Sequence, residues 1–286
     1  MSLATLAPET VPPPARLSPR AIAKLAARAL WDELALCPKP GLVSLRDAGA
    51  HDDMSARTFV KSLFALRRPF ASLAAAGAAA APFATLRALG MRAEADMLRA
   101  TGGVNTHRGA IFCVGLLCAA AGRACTIGEA PDDDTLRATL HDVWGAALVA
   151  HVAVCSTRSH GGQVAQRHGA GGARAQAARG FPDVFDIALP ALRAARAAGA
   201  GVRVARLRAL LALMARVDDT NVLYRGGEAG LRLVQQRARE ASASADILRA
   251  SEAMHSELVV RRLSPGGCAD LLAAALFVDT LQDAPG

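Results

Sequence analysis

Four polar segments that contain glycine each precede an apolar stretch with helical periodicity. Glycine allows the backbone to approach a ligand closely, and the N-terminus of a helix presents unpaired N–H groups with a partial positive charge. This combination suits phosphate oxygens, although any single segment of this kind is more often only a turn between helices. The segments are residues 101–109, 169–174, 225–227 and 264–267.

Carboxylates cluster at two places that could serve the same chemistry. His51-Asp52-Asp53 follows the first predicted helix, and Asp218-Asp219-Thr220-Asn221 follows a strongly apolar one. An acidic pair at the C-terminus of a helix opposes the macrodipole, which suggests a compensating cation. Mg²⁺ with a bound polyphosphate would fit, because Mg²⁺ prefers one or two carboxylates together with phosphate oxygens. The alternative is a pair of solvated turn aspartates.

Lys39 and His107 are the other side chains whose setting suggests chemistry. The chain has three lysines, and Lys39 stands between Pro38 and Pro40, which preset its backbone. His107 and His168 lie in glycine-containing segments, where a histidine can act as a hydrogen-bond donor or general acid. The histidines at 141, 151 and 255 fall within predicted helices and are interpreted as ordinary.

Several function classes are disfavoured by the composition and the motifs. The sequence contains neither GxxxxGK[ST] nor a GxGxxG after a strand, which argues against a P-loop ATPase and a Rossmann dehydrogenase. The net charge is +8, but the arginines are scattered and aromatic residues make up 4%, so we expect no nucleic-acid binding. Six cysteines form no CxxC pair, which together with the absence of a signal peptide predicts a cytoplasmic protein.

The fold class follows from the same composition. Hydrophobic residues make up 52% of the 286 residues, and many of them are alanine, the strongest helix former. We predict an all-α protein: a flexible tail over residues 1–17, then one compact multi-helix domain over 18–283 with glycine-rich loops at helix N-termini. The predicted helices cover 19–36, 56–80, 83–100, 107–121, 132–154, 183–198, 203–217, 227–241, 243–261 and 267–281. The apolar stretches at 69–86 and 109–122 are interpreted as buried helices, and no membrane span is expected.

In this order, the segments resemble the triphosphoribosyl-dephospho-CoA synthase family. The resemblance extends from about residue 25 to 280, and two departures from the family pattern stand out. Ser44 replaces an expected acidic residue, and Arg262-Leu263 replace an expected Asn-Ala. The matching pieces are residues 38–43, 50–54, 101–111, 159–161, 171–174, 219–227 and 264–272.

The resemblance implies a transferase that joins the ribose C1 of ATP to the 2′-hydroxyl of 3′-dephospho-CoA and releases adenine. It further implies that Mg²⁺ is held by Asp52, Asp219 and Asp270. The catalytic residues would be Asp52, His107, Asp219 and Lys39. The nucleotide would be bound by Gly102, Gly103, Asn105, Thr106, Arg174, Asn221, Arg225, Gly226 and Gly227. Which side chain is the acid and which the base stays open.

The resemblance is closer to the branch that serves malonate decarboxylase than to the one that serves citrate lyase. The product would then pass to a holo-acyl-carrier synthase, and a homodimer is left open. Two rivals remain: another ATP-using or N-glycosidic hydrolase on a helical scaffold, and a non-catalytic basic helical binding module. Release of free adenine only when dephospho-CoA is present would separate the transferase from both.

Overall fold

The computed structural model describes residues 17–153 and 171–282, and none of these residues lies in a β-strand. The all-α prediction is therefore confirmed for this part of the chain. Residues 1–16 of the predicted tail lie outside the described residues, as do Ser159-His160-Gly161 and His168. The helices are α1 (Pro19–Leu34), α2 (Ala56–Ala78), α3 (Phe83–Thr101), α4 (Arg108–Ile127), α5 (Asp133–Ala153), α6 (Gly172–Ala178), α7 (Leu189–Ala197), α8 (Val202–Met214), α9 (Thr220–Ala243), α10 (Ile247–Val260) and α11 (Gly266–Gln282), with a π-helical turn (Asp183–Ala188) leading into α7.

Local signals in the sequence account for several helix ends. Ser18 caps α1, since its hydroxyl accepts a hydrogen bond from the N–H of Ala21 at 3.2 Å and proline follows at the first helical position. Helix α3 ends at Gly102, whose φ of +70° is the left-handed conformation that commonly terminates helices. At both ends of α1 and α3, the predicted and observed bounds agree within two residues.

Helices α4 and α11 form the centre of the fold. Nearly all of α4 from Ala110 onward is buried, and α11 is buried along most of its length. Helix α4 contacts α1, α2, α3, α5 and α11, whereas α11 contacts α1, α4 and α8 and the π-helical turn. Both helices begin in polar glycine segments, and their buried stretches start within the first turn, at Ala110 and Cys268. Their first turns are available to build a buried site.

Two glycines bring α2 and α4 unusually close. A Cβ atom on Gly77 would lie 1.9 Å from the carbonyl oxygen of Ala119 in α4. In the opposite direction, a Cβ atom on Gly122 would lie 2.1 Å from the carbonyl oxygen of Ala74 in α2. Gly122 was expected near the end of a helix, yet α4 continues to Ile127 because Gly122 serves this contact. Small residues on both helices thus replace bulky ones at the interface.

Helix α4 is also the only helix among the described residues that is long and apolar enough to cross a membrane by length and composition. In the fold, 78% of its most apolar window is buried against other helices. The predicted apolar stretch was shorter, ending at Gly122. Packing on all sides explains its hydropathy, so α4 is interpreted as a core helix.

Candidate functional site

A buried ion pair joins the end of α1 to the loop that follows it. The Lys39 ammonium lies 2.6 Å from Oε1 of Glu33 and 3.1 Å from the backbone oxygen of the same residue. The two side chains are 1% and 4% exposed. Burial raises the pKa of Glu33, and the Lys39 ammonium acts in the opposite direction. Lys39 was identified from the sequence, whereas Glu33 was missed because it looks like any acidic residue at the end of an amphipathic helix.

His107 precedes the first turn of α4 and is buried beside this pair. Its Nδ1 lies 2.6 Å from the hydroxyl of Ser62 in α2, and Phe59 packs edge-on against the ring at 4.8 Å between centroids. Its Nε2 is buried and has no hydrogen-bond partner among the described residues. Burial lowers the pKa of His107 to about 3, and the Lys39 charge adds to this effect. The ring is therefore neutral near pH 7, which fits the hydrogen-bond donor expected from the sequence better than the general acid that was the other expectation.

Asp219 occupies a different electrostatic setting from the one predicted. It caps the N-terminus of α9: its Oδ1 accepts from the N–H groups of Asn221 at 2.8 Å and Val222 at 3.2 Å. Its Oδ2 accepts from the N–H of Cys268 in the first turn of α11 at 2.8 Å. The argument that Asp219 opposes a helix macrodipole was wrong, because two helix N-termini point at the carboxylate and favour its charge. Burial nevertheless raises its pKa, against the effect of these hydrogen bonds.

Asp270 lies two residues further along α11 and faces the start of α4. A Cβ atom on Gly109 would lie 1.9 Å from its Oδ2, so the carboxylate fits only because residue 109 is glycine. Burial raises the pKa of Asp270 well above its usual range, and the charges of Glu33 and Asp219 add to this rise. The N–H of Ala110, in the first turn of α4, favours the ionised form.

These residues form one buried centre, in which Glu33, Lys39, His107 and Asp219 are buried and Asp270 is partly buried. The N-termini of α4, α9 and α11 all point toward its two aspartates. Three carboxylates and one ammonium leave two negative charges if all are ionised. Burial is the main cause of the raised pKa of each carboxyl group, and for Asp270 the charges of Glu33 and Asp219 add to it. A divalent cation would relieve it. Over residues 17–153 and 171–282, however, no three His, Cys, Asp or Glu side chains are already arranged as metal ligands.

Asp52 does not belong to this centre. Its carboxylate pairs with the Arg262 guanidinium at 2.8 Å, and both side chains are more than 70% exposed. The three predicted metal ligands are therefore not brought together: the charge of Asp219 raises the pKa of Asp270, whereas Asp52 lies at the surface. From the sequence alone, nothing in the polar loop after α1 distinguished Asp52 from the other two predicted ligands.

Arg225 holds two loops together near Asp52. Its guanidinium donates to the backbone oxygens of Ala50 at 2.9 Å and Arg262 at 3.3 Å, and to Nδ1 of His51 at 3.1 Å. Because arginine only donates, Nδ1 of His51 accepts, and Nε2–H donates to the Ser264 hydroxyl at 2.8 Å. The described contacts of Arg225 are thus structural, and its predicted contact with the triphosphate stays a prediction.

The remaining predicted nucleotide ligands lie at three glycine segments. Gly102 and Gly103 have φ values of +70° and +91°, and no atom lies within 4 Å of the Cβ that either would carry, so their backbone faces open space. The loop then passes through Asn105, whose side chain accepts from the N–H of Arg108, to Thr106, whose buried hydroxyl has no partner among the described residues. This loop ends directly at His107 and the buried centre.

The other two segments differ from the predicted loops. Gly226 and Gly227 lie within α9, and Gly227 interrupts the helix with φ +58° and ψ −160°, a conformation that essentially only glycine adopts. Asn221 lies in the first turn of α9, where a Cβ on Gly266 would meet its amide at 2.9 Å. Gly172 packs next to Thr220 at the start of α9. Arg174, in the same short helix α6, therefore lies on the side of the molecule where α9 begins.

The structure shows the contacts made by the residues that depart from the family pattern. Arg262 adopts φ +55°, a left-handed conformation that asparagine tolerates better than other non-glycine residues. The expected asparagine would therefore suit the backbone, whereas the arginine that replaces it pairs with Asp52. Leu263 packs against Gly226, where a Cβ would lie 2.5 Å from its Cδ2. Ser44 is buried, and its hydroxyl accepts from the N–H of Arg46 at 3.2 Å.

The fold and the site define an all-helical protein whose polar residues converge on one buried, charged centre. A model of the ATP:dephospho-CoA triphosphoribosyl transferase family matches residues 19–286. The chain is 45% identical to a probable 2-(5''-triphosphoribosyl)-3'-dephosphocoenzyme-A synthase of Pseudomonas syringae pv. syringae, with 96% of each chain covered. It is 39% identical to the 2-(5''-triphosphoribosyl)-3'-dephosphocoenzyme-A synthase of Klebsiella pneumoniae, over 92% of this chain and 91% of that one.

The chain therefore belongs to the ATP:dephospho-CoA triphosphoribosyl transferase family, and it is an enzyme of the transferase class. The resemblance drawn from the glycine segments is confirmed at the level of the family. No solved structure gives a significant match to the chain.

Proposed function

We propose that the protein transfers the 5-triphosphoribosyl group of ATP to the 2′-hydroxyl of 3′-dephospho-CoA and releases adenine. The proposal rests on the family relationship, since relatives that the chain matches over nearly its whole length carry the name of this synthase. The bond between the ribose C1 and adenine breaks, and a bond between C1 and the 2′-oxygen forms. The hydroxyl proton passes to a base, and adenine takes up a proton as it leaves.

The buried centre supplies groups of the right kind for this exchange. The ribose C1 passes through an oxocarbenium-like state as adenine departs, and the carboxylates of Asp219 and Asp270 place negative charge beside it. His107 is neutral near pH 7 and its Nε2 has no partner among the described residues, so it can form a hydrogen bond to a substrate group at this centre. Lys39 provides a fixed positive charge for the triphosphate, which we place on the loop from Gly102 to Thr106.

The same centre fits a magnesium ion. Asp219 and Asp270 would hold it, because they are buried neighbours in a group of charges that has an excess of carboxylates. The ion would supply further neutralisation of the triphosphate charge. Asp52 can join only if the exposed loop bearing it moves, since it now pairs with Arg262 at the surface.

The biological role that we propose is synthesis of the prosthetic-group precursor for the acyl-carrier subunit of malonate decarboxylase. This choice of branch is supported by the resemblance of residues 171–174 and by the Ala- and Arg-rich composition. The product would pass to a holo-acyl-carrier synthase. Cytoplasmic localisation and a homodimeric state are proposed with it.

The test is to incubate purified protein with ATP, Mg²⁺ and 3′-dephospho-CoA and to follow adenine and product mass by chromatography. We expect one adenine per product, and a product heavier than dephospho-CoA by a triphosphoribosyl unit. Asp270→Asn should abolish turnover, whereas Asp279→Asn, at the other end of α11 and paired with Arg196, should retain it. Adenine release without dephospho-CoA would favour a hydrolase instead, and no adenine from protein that binds ATP would refute the proposal.

A further inference from the structure

The Lys39 ammonium is held from one side by a single residue. Glu33 lies in the last turn of α1 and presents two oxygens: its carboxylate at 2.6 Å and its backbone carbonyl at 3.1 Å. This carbonyl also accepts from the N–H of Leu36 at 3.2 Å. A carbonyl at the C-terminus of a helix carries a partial negative charge and can accept more than one hydrogen bond, so it suits a cation. These contacts account for two of the three ammonium protons. One proton is left for a group outside this pair.

The backbone of Lys39 is restrained as well as its ammonium group. Pro38 and Pro40 restrict its conformation on both sides. Its carbonyl oxygen lies 3.2 Å from Nδ1 of His255 in α10, and that histidine is 7% exposed. The side chain therefore has little freedom to search for a ligand. Its direction is set before anything binds.

We propose that Glu33 is a positioning residue, which fixes the Lys39 ammonium in place and aims its remaining N–H at the ligand beside His107. The proposal rests on the proposed function for its effect on turnover. Nothing in the sequence pattern singles out Glu33, since Asp32 precedes it and both fall at the end of the same helix. The structure separates the two: Asp32 pairs with Arg206 at 2.7 Å and with Arg28 at 3.1 Å, on another side of α1.

The first test observes the ammonium directly and does not depend on activity. The chain has three lysines, and Lys24 and Lys61 are exposed, so protein with isotope-labelled lysine should show one side-chain ammonium signal that exchanges slowly with solvent. We expect Glu33→Gln to abolish the slow exchange. Asp32→Asn should leave it unchanged, because that carboxylate does not contact Lys39. Glu33→Asp, which keeps the charge, should retain a protected signal at a shifted position.

The second test is a double-mutant cycle on adenine release. Glu33→Gln and Lys39→Met should each lower kcat by about 100-fold, the lower end of what a positioned catalytic group contributes. The double variant should be no slower than Lys39→Met within about twofold, since Glu33 acts only through Lys39. Replacing both members of the pair also removes the unpaired buried charge that could unfold a single variant.

The outcomes separate this proposal from the proposed function. A slowly exchanging signal that survives Glu33→Gln would overturn the positioning role, as would a double variant in which the two losses multiply. If the wild-type protein releases no adenine, the proposed reaction fails. The lysine signals of the variants then still decide whether Glu33 holds Lys39.

Discussion

Replacing Gly109 by alanine should separate activity from stability at the buried centre. Gly109 lies in the first turn of α4, and the added Cβ would lie 1.9 Å from Oδ2 and 2.8 Å from Cγ of Asp270. That is about 1.5 Å short of the 3.4 Å at which ordinary contact begins. The three atoms nearest to the added Cβ all belong to the Asp270 side chain, so this side chain must move rather than the backbone.

The magnitudes favour an effect on catalysis over one on folding. Crowding a packed site costs about 1–3 kcal/mol, whereas alanine gains up to about 1 kcal/mol over glycine within a helix, so the net loss of stability is about 0–2 kcal/mol. A displacement of about 1 Å in a catalytic group can lower turnover by about 100-fold. That corresponds to about 2.7 kcal/mol of lost transition-state stabilisation.

The assay pairs adenine release with denaturant unfolding of the same preparations. Gly90→Ala is the matched control, because Gly90 lies within α3 and no atom lies within 4 Å of the Cβ that alanine would add there. It should raise stability by up to about 1 kcal/mol and leave turnover unchanged. A Gly109→Ala protein with turnover within about twofold of wild type would refute the assignment of Asp270 to the reacting centre.

Three further predictions concern stability and its pH dependence. Gly77→Ala should destabilise the fold by about 1–3 kcal/mol in denaturant unfolding, because its Cβ would meet the Ala119 carbonyl, and an unchanged midpoint would contradict the close packing of α2 and α4. The pKa of His107 is lowered to about 3 in the folded protein, so the stability it contributes is present above its unfolded value of 6.5 and is lost as the pH falls toward 3. Unfolding at pH 7 and pH 5 should differ by about 2 kcal/mol from this group, and His107→Gln should remove that difference. Asp219→Asn should cost about 1–3 kcal/mol by turning an amide donor toward a backbone N–H, whereas Asp218→Asn, at an exposed position, should change little.

The fold was predictable where a local signal fixes a helix end. The start of α2 and both ends of α3 agree with the predictions within two residues, because Ser55, Pro82 and Gly102 mark them. Prediction failed where glycine serves packing rather than termination. Gly122 lies inside α4, and Arg225-Gly226-Gly227, expected as a loop before a helix, lies inside α9. Sequence spacing does not distinguish a glycine that ends a helix from one that admits a neighbouring backbone.

The sequence predicted which types of residue form the site, but only partly which of them lie together in the fold. Lys39, His107, Asp219 and Asp270 do meet, since the loops and helix starts that bear them lie where α1, α4, α9 and α11 pack together. Asp52 appeared equivalent to Asp219 because both adjoin a second aspartate in a polar segment. What distinguishes them is long-range: Asp219 receives an N–H from α11, and Asp52 receives an arginine at the surface.

The convergence of α4, α9 and α11 on Asp219 and Asp270 affects how the protein can be made. The first turns of these helices begin near residues 108, 220 and 266, so the centre is assembled from stretches that leave the ribosome far apart in time. Until the ribosome has released the chain beyond Gly266, the Cys268 N–H cannot donate its hydrogen bond to Asp219. Asp270 is also missing from the centre at that stage. Enzyme activity should therefore appear in a single late step of synthesis, when α11 packs against α1, α4 and α8. It should not increase gradually with chain length.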